Sequence, residues 1–200
     1  MMFKPRNPEN IFSEANIITL LRLSGSLVFF TLAVVERSPL YNFVGLGIHW
    51  VGDVADGFCA RFFKQETILG AIIDIIADRV EILFFYINFL FFRPYLFLPV
   101  VIYLLNFAFI DFYLSGQFLK FGLISPNYFY KVDRKVYLLN YSPAGKFINS
   151  TVVTLILIFA PHFQIMAALI SIGLIAIKLY SFKRLNNKLN FDKNTFPLKD

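Results

Sequence analysis

Residues 95–110 read Tyr-Leu-Phe-Leu-Pro-Val-Val-Ile-Tyr-Leu-Leu-Asn-Phe-Ala-Phe-Ile, without a single charge. Phe147–Ala160 is a second uncharged run, and Ile17–Val35 a third, interrupted only by Arg22. Together they account for a chain of 200 residues that is 58% hydrophobic and only 16% charged. A soluble domain carries about 25% charged and about 45–50% apolar residues. No water-soluble core of this size needs so much apolar surface, and a backbone in lipid must satisfy its own hydrogen bonds within helices. The fold class is therefore an all-α polytopic membrane protein. A soluble enzyme, a secreted disulfide scaffold, a disordered chain and a conventional nucleic-acid-binding domain are excluded. Cys59 is the lone cysteine, so no internal disulfide forms.

Working outward from these runs, bilayer-length helices of roughly 17–25 residues are predicted six times. The expected spans are 17–35, 40–63, 67–92, 95–119, 142–160 and 163–180. Glu36-Arg37-Ser38-Pro39, Lys64-Gln65-Glu66, Arg93-Pro94 and Pro161-His162 separate them. Ser142 is expected to cap the fifth helix with Pro143 at its first position. Lys4 and Arg6 before an apolar run imitate a signal peptide, but Arg22 interrupts that run and argues for a retained first span. The whole chain, 1–200, reads as one membrane domain: a juxtamembrane segment 1–16, a six-helix bundle 17–180 and a basic tail 181–200. Residues 121–145 are expected to form the one long loop.

The net charge of +6 follows the positive-inside rule. With six spans, fourteen of the nineteen Lys and Arg fall on the side of both termini, among them Lys4, Arg6, Lys64, Lys120, Lys188, Lys193 and Lys199. Only Arg37 and Arg93 fall opposite. Both termini are thus expected to be cytoplasmic, with the tail along the anionic leaflet and not on nucleic acid.

Charges inside spans are costly and usually functional. The second span carries Asp53, Asp56, Gly57, Ala60 and Arg61, and the third carries Gly70, Asp74 and Asp78. Asp53 and Asp56 are spaced i, i+3; Gly70, Asp74 and Asp78 are spaced i, i+4, i+8; each set shares a helix face. An antiparallel hairpin turning near Gln65 sets Asp56 opposite Asp74, Asp53 opposite Asp78, and Ala60 against Gly70, where small residues let helices approach closely. Four converging carboxylates cannot all stay ionised in a low dielectric without cations. Hard divalent ions, Mg2+ or Mn2+, are their natural partners, and two such ions suit phosphoryl chemistry.

The pattern Asp-x2-Asp-Gly-x2-Ala-Arg-x8-Gly-x3-Asp-x3-Asp, complete across the 26 residues from Asp53 to Asp78, resembles the signature of the CDP-alcohol phosphatidyltransferases. Asn16-x2-Thr19-x2-Arg22 is similar to that family's first-helix pattern, and Gly145-Lys146 to a Gly-Lys pair of its glycerophosphate-type members. The resemblance implies transfer of the phosphatidyl group of CDP-diacylglycerol to the hydroxyl of a small polar alcohol, with release of CMP. It implies metal on Asp53, Asp56, Asp74 and Asp78, with Asp78 also the general base. Gly57, Ala60, Arg61 and Gly70 would hold the nucleotide and diphosphate. It further implies a homodimer among membrane lipids, with the site facing the cytoplasm (at the inner membrane in a bacterium).

The acceptor expected is glycerol 3-phosphate, with Arg22, Lys146, Arg134 and Lys135 as candidate binders. Inositol phosphate, another alcohol or phosphatidylglycerol is the alternative. Asp78-Arg79 is similar to inositol-phosphate-type members, and Phe147-Ile148-Asn149 lacks a threonine found after the Gly-Lys pair. An intramembrane prenyltransferase would need more spans and two separated Asp motifs. A carboxylate transporter would need broken helices and inverted repeats. Asp111 reads either as a satisfied structural group or as an acceptor-site residue, Glu81 as structural, and His49, His162 and Cys59 as interfacial or packing residues.

Overall fold

The computed structural model describes residues 11–195, with side chains through residue 189. Lys4, Arg6, Lys199 and the side chain of Lys193 lie outside the described residues. Every regular element among them is helical: α1 (Glu14–Val35), α2 (Pro39–Phe62), α3 (Ile68–Phe92), α4 (Pro94–Phe121), α5 (Arg134–Tyr141), α6 (Pro143–Phe159) and α7 (Gln164–Thr195).

Local chemistry sets these boundaries. Ser13 caps α1 by accepting the Asn16 N–H at 3.3 Å. α1 and α2 both end on non-glycine residues in the left-handed region, Arg37 at φ 51° and Lys64 at φ 55°. There the Ser38 and Gln65 amides fold back onto the carbonyls of Ala33 and Ala60. Thr67 caps α3 through the Gly70 N–H at 2.9 Å. Ser142 caps α6 through the Gly145 N–H at 3.0 Å, with Pro143 in the first turn, as expected.

Two expectations change. The segment 121–145 is not one loop. It holds a 3-10 turn at Pro126–Lys131 and the helix α5, capped by Asp133, which joins α6 at a 42° bend. The first part of the basic tail is helical, because α7 runs on to Thr195. The reason is a buried acid: Asp133 takes the Arg184 Nε at 2.6 Å and lies 3.3 Å from the Lys188 Nζ, fastening the extension of α7 over the segment before α5.

Among the described residues, three helices are long and apolar enough to cross a membrane, α1, α4 and α7 with its leading turn, and four if the bent pair α5–α6 is one span. α2 and α3 span 24 and 25 residues but carry the acidic clusters. α1 packs against both α2 and α3. Asn42 donates to the Phe85 carbonyl at 3.1 Å and Asn88 to the Phe30 carbonyl at 2.8 Å, locking the three together. Gly45 makes room for the Phe30 ring, since a Cβ there would lie 2.5 Å from it. An aromatic core of Phe30, Phe85, Tyr86, Phe89, Tyr103 and Phe107 joins these helices to α4, α6 and α7.

Candidate active site

The helices enclose a cavity of about 410 Å³. Asp53, Asp56, Asp74 and Asp78 line it, as do Gly57, Ala60, Arg61, Gly70 and Lys146. At its acidic end, one carboxylate oxygen each from Asp53, Asp56 and Asp74 lie within 4.8 Å of one another. Asp78 belongs to a second such group with His49 and Glu81. The four signature aspartates therefore converge but divide three to one.

Arg22 stands behind them. Its Nη1 lies 3.5 Å from Asp53 and 3.4 Å from Asp56. Its Nη2 donates to Asp78 at 2.9 Å and approaches Asp74 at 3.4 Å, and its Nε lies 3.2 Å from Glu81. Thr19, one turn earlier on the same face, donates to Asp56 at 2.8 Å. Glu81 is completely buried and accepts from Ser26 at 2.6 Å, with the His49 Nδ1 at 2.9 Å.

The small residues have particular occupants. A Cβ on Gly70 would meet the Asn16 Oδ1 at 2.8 Å and the capping Thr67 Oγ1 at 3.0 Å. Asn16 of α1 thus packs against Gly70, and Ala60 lines the same cavity. A Cβ on Gly57 would lie 3.3 Å from the Arg61 guanidinium. Gly52, outside the signature, faces the Arg22 stem, with 2.4 Å left for a Cβ.

Cationic and polar groups line the rest of the cavity, and Arg79 reaches to within 3.8 Å of Asp78. Asp111 is paired with both Arg79 and Lys178, and the Arg79 guanidinium lies 4.6 Å over the Phe107 ring. Lys146, Asn149, Ser150 and Thr151 complete this wall. Three π-helical stretches, Leu105–Asp111, Tyr137–Tyr141 and Ile148–Val152, supply Asp111, Asn140, Tyr141 and Asn149 to the lining. Such stretches re-aim side chains and recur at functional sites. A third wall comes from residues 124–127. It is fastened by Tyr128, whose hydroxyl donates to Glu66 at 2.6 Å. That bond, and then burial, push the Tyr128 hydroxyl up to about 12.

Of the expected acceptor residues, only Lys146 lines the cavity. Arg22 is buried behind the aspartates, and Arg134 and Lys135 are exposed on the first turn of α5. His49 and Glu81, read as packing and structural residues, stand at the acid cage. Lys178, Asn149 and residues 124–127 line the cavity without having been read as site residues. The Asn-x2-Thr-x2-Arg spacing was the one signal that placed Asn16, Thr19 and Arg22 on a single face toward the acids.

The donor chemistry fits a hard divalent cation: three carboxylates on two helices present oxygens close enough to share one ion, with no thiolate and no imidazole in that group. A carboxylate cage in a cavity that basic side chains also line, carried on membrane-length helices, is the site of a membrane enzyme. The family model of the CDP-alcohol phosphatidyltransferases matches residues 12–178, and the chain belongs to that family. Its members are transferases of substituted phosphate groups. No curated protein and no solved structure matches the chain.

Proposed function

We propose that the protein transfers the phosphatidyl group of CDP-diacylglycerol to glycerol 3-phosphate, releasing CMP. The observation that carries this reading is one cavity lined both by the four signature carboxylates and by Lys146, next to the Arg79–Asp111–Lys178 cluster. The carboxylates suit an ion-bound diphosphate and Lys146 an anionic acceptor.

Asp53, Asp56, Asp74 and Asp78 would hold Mg2+ or Mn2+, two ions in the full complement. Bound there, the metal neutralises the diphosphate and makes CMP a better leaving group. Arg61, beside the open face of Gly57, steadies the nucleotide, which lies against Gly57, Ala60 and Gly70. Asp78 takes the proton from the acceptor hydroxyl as that oxygen attacks the lipid-side phosphorus. Its place with His49 and Glu81 in a second group of ligating side chains supports this distinct role. Lys146 holds the acceptor phosphate.

The reading includes six spans, both termini and the open end of the site on the cytoplasmic side, and a homodimer in the bilayer. The exposed positions of α2 and α3 support the two charge-bearing spans. Val51, Val54, Phe58 and Phe62 on α2, and Ile76, Phe84, Ile87 and Phe91 on α3, offer lipid an apolar face. The test is an acceptor screen with radiolabelled CDP-diacylglycerol in detergent. Glycerol 3-phosphate should give metal-dependent CMP release at least about tenfold above inositol phosphate, serine, inositol and phosphatidylglycerol. Faster release with any of those would reassign the acceptor. Release with none would refute the reaction.

A further inference from the structure

The acid cage already contains a cation that belongs to the chain. Arg22 contacts five carboxylates through three nitrogens, with a side chain only 1% exposed. Its Nε and Nη1 form no hydrogen bond of good geometry. A guanidinium engaged only as a structural tie usually saturates its fork against one or two partners. Here it is spread at 2.9–3.5 Å over oxygens from two helices. That arrangement lowers the repulsion of the whole cluster and fully satisfies no single acid.

What aims it lies deeper. Glu81 is wholly buried, faces the Arg22 Nε, and is fixed by Ser26 and His49. Gly52 leaves space on α2 for the Arg22 stem, since a Cβ would come within 2.4 Å of its Cγ and Cδ. A buried acid, a hydroxyl, an imidazole and an absent side chain thus converge on one guanidinium. Arg22 does not line the cavity, so a substrate phosphate does not reach it.

We propose that Arg22 is the built-in counter-ion of the acid cage: positioned by Glu81, Ser26, His49 and Gly52, it holds the aspartates in register before metal arrives and weakens their grip on divalent cations. This rests on the reading of the cage as a metal site. Glu81 is a positioning residue with a predictable sign. Its charge offsets part of the Arg22 charge, so neutralising Glu81 leaves more of the guanidinium field on the aspartates. Neutralising Arg22 does the reverse.

The test is Mn2+ titration of the full-length protein in detergent, followed by electron paramagnetic resonance of free Mn2+, together with the melting temperature in EDTA. R22Q should bind Mn2+ at least about tenfold tighter than wild type, because a unit charge within a few ångströms of the ion has been removed. It should also melt about 5 °C lower in EDTA, where four acids have lost their counter-charge. E81Q should bind Mn2+ more weakly, by about threefold or more. R22K keeps the charge and should stay within about threefold of wild type. It decides the matter if R22Q does not fold, since tenfold tighter binding by R22K would overturn the proposal. So would equal Kd values in wild type and R22Q, or a shift of R22Q and E81Q in the same direction, which is what a purely structural role gives. Absence of Mn2+ binding by wild type would instead refute the metal cage itself, and the proposal with it.

Discussion

Asp78 differs from the other signature acids in what it touches. It accepts from the Arg22 Nη2 at 2.9 Å, has the Arg79 Nη1 at 3.8 Å, and sits apart from the Asp53–Asp56–Asp74 group. If Asp78 is the proton acceptor, D78N should lower kcat by about 10²–10⁴-fold. The three remaining aspartates should keep the affinity for CDP-diacylglycerol within a few-fold, as measured by equilibrium binding. Equal loss of binding and turnover would remove the distinct role. Gly70 makes a second point at this scale. Adding one methyl brings it to 2.8 Å from the Asn16 Oδ1 and 3.0 Å from the capping hydroxyl of Thr67. G70A should therefore destabilise the protein by about 1–3 kcal/mol through overpacking. The companion variant N16A should restore part of that loss, as read by thermal melts, because it removes the clashing amide. No rescue would mean that Ala60, not Asn16, is the neighbour that matters.

Among the elements, the helices whose boundaries carry local signals were legible, and those shaped by distant partners were not. Pro39, Thr67 and the Ser142-Pro143 pair announce helix starts through backbone chemistry that needs no tertiary context. Asp53, Asp56, Asp74 and Asp78 were legible because helical spacing alone aligns them. The continuation of α7 was hidden. Its residues from Ser181 are largely polar, and they pack through partners distant in sequence: Arg184 on buried Asp133, 51 residues away, and Leu185 in the cluster around Phe118, Phe129 and Val136. The π-helical stretches were hidden too, since one extra residue in a turn leaves no compositional trace. The Asp133 clamp has a definite pH signature. Burial works against its charge, but the Val136 amide, Arg184 and Lys188 prevail and hold its carboxyl below the usual carboxylate range. A carboxyl lowered in the folded state stabilises above its ordinary unfolded value, and that stability is lost as pH falls through the lowered folded value. D133N retains a capping oxygen but loses the charge. It should cost about 1–2 kcal/mol at neutral pH, and its melting temperature should fall less than that of wild type between pH 6 and pH 3. Parallel pH profiles would show that the clamp does not titrate with folding.

For the whole molecule, the open question of architecture is whether the charged pair α2–α3 crosses the bilayer or dips in and returns. Composition alone cannot decide, since both helices are long enough but hold the acids. The proposed crossing draws on their exposed faces. Asp56, Asp78 and Glu81 turn toward Arg22, and Val51, Val54, Phe58, Phe62, Ile76, Phe84, Ile87 and Phe91 offer apolar surface to lipid. The distribution of Lys and Arg agrees: Arg37 and Arg93 flank one side, while Arg61, Lys64 and Lys120 flank the other. Single cysteines in a C59S background distinguish the two arrangements. E36C follows α1, F63C lies in the α2–α3 turn, and K120C ends α4, and all three positions are exposed. Both arrangements place residue 36 outside and residue 120 inside, so E36C should react with a membrane-impermeant maleimide on intact cells and K120C only after lysis. The deciding residue is 63. If α2 and α3 cross, F63C is labelled only after lysis, which puts the signature end of the cavity on the cytoplasmic side, where a water-soluble acceptor and released CMP must come and go. Labelling of F63C on intact cells would make the hairpin re-entrant and turn the acid cage toward the opposite face.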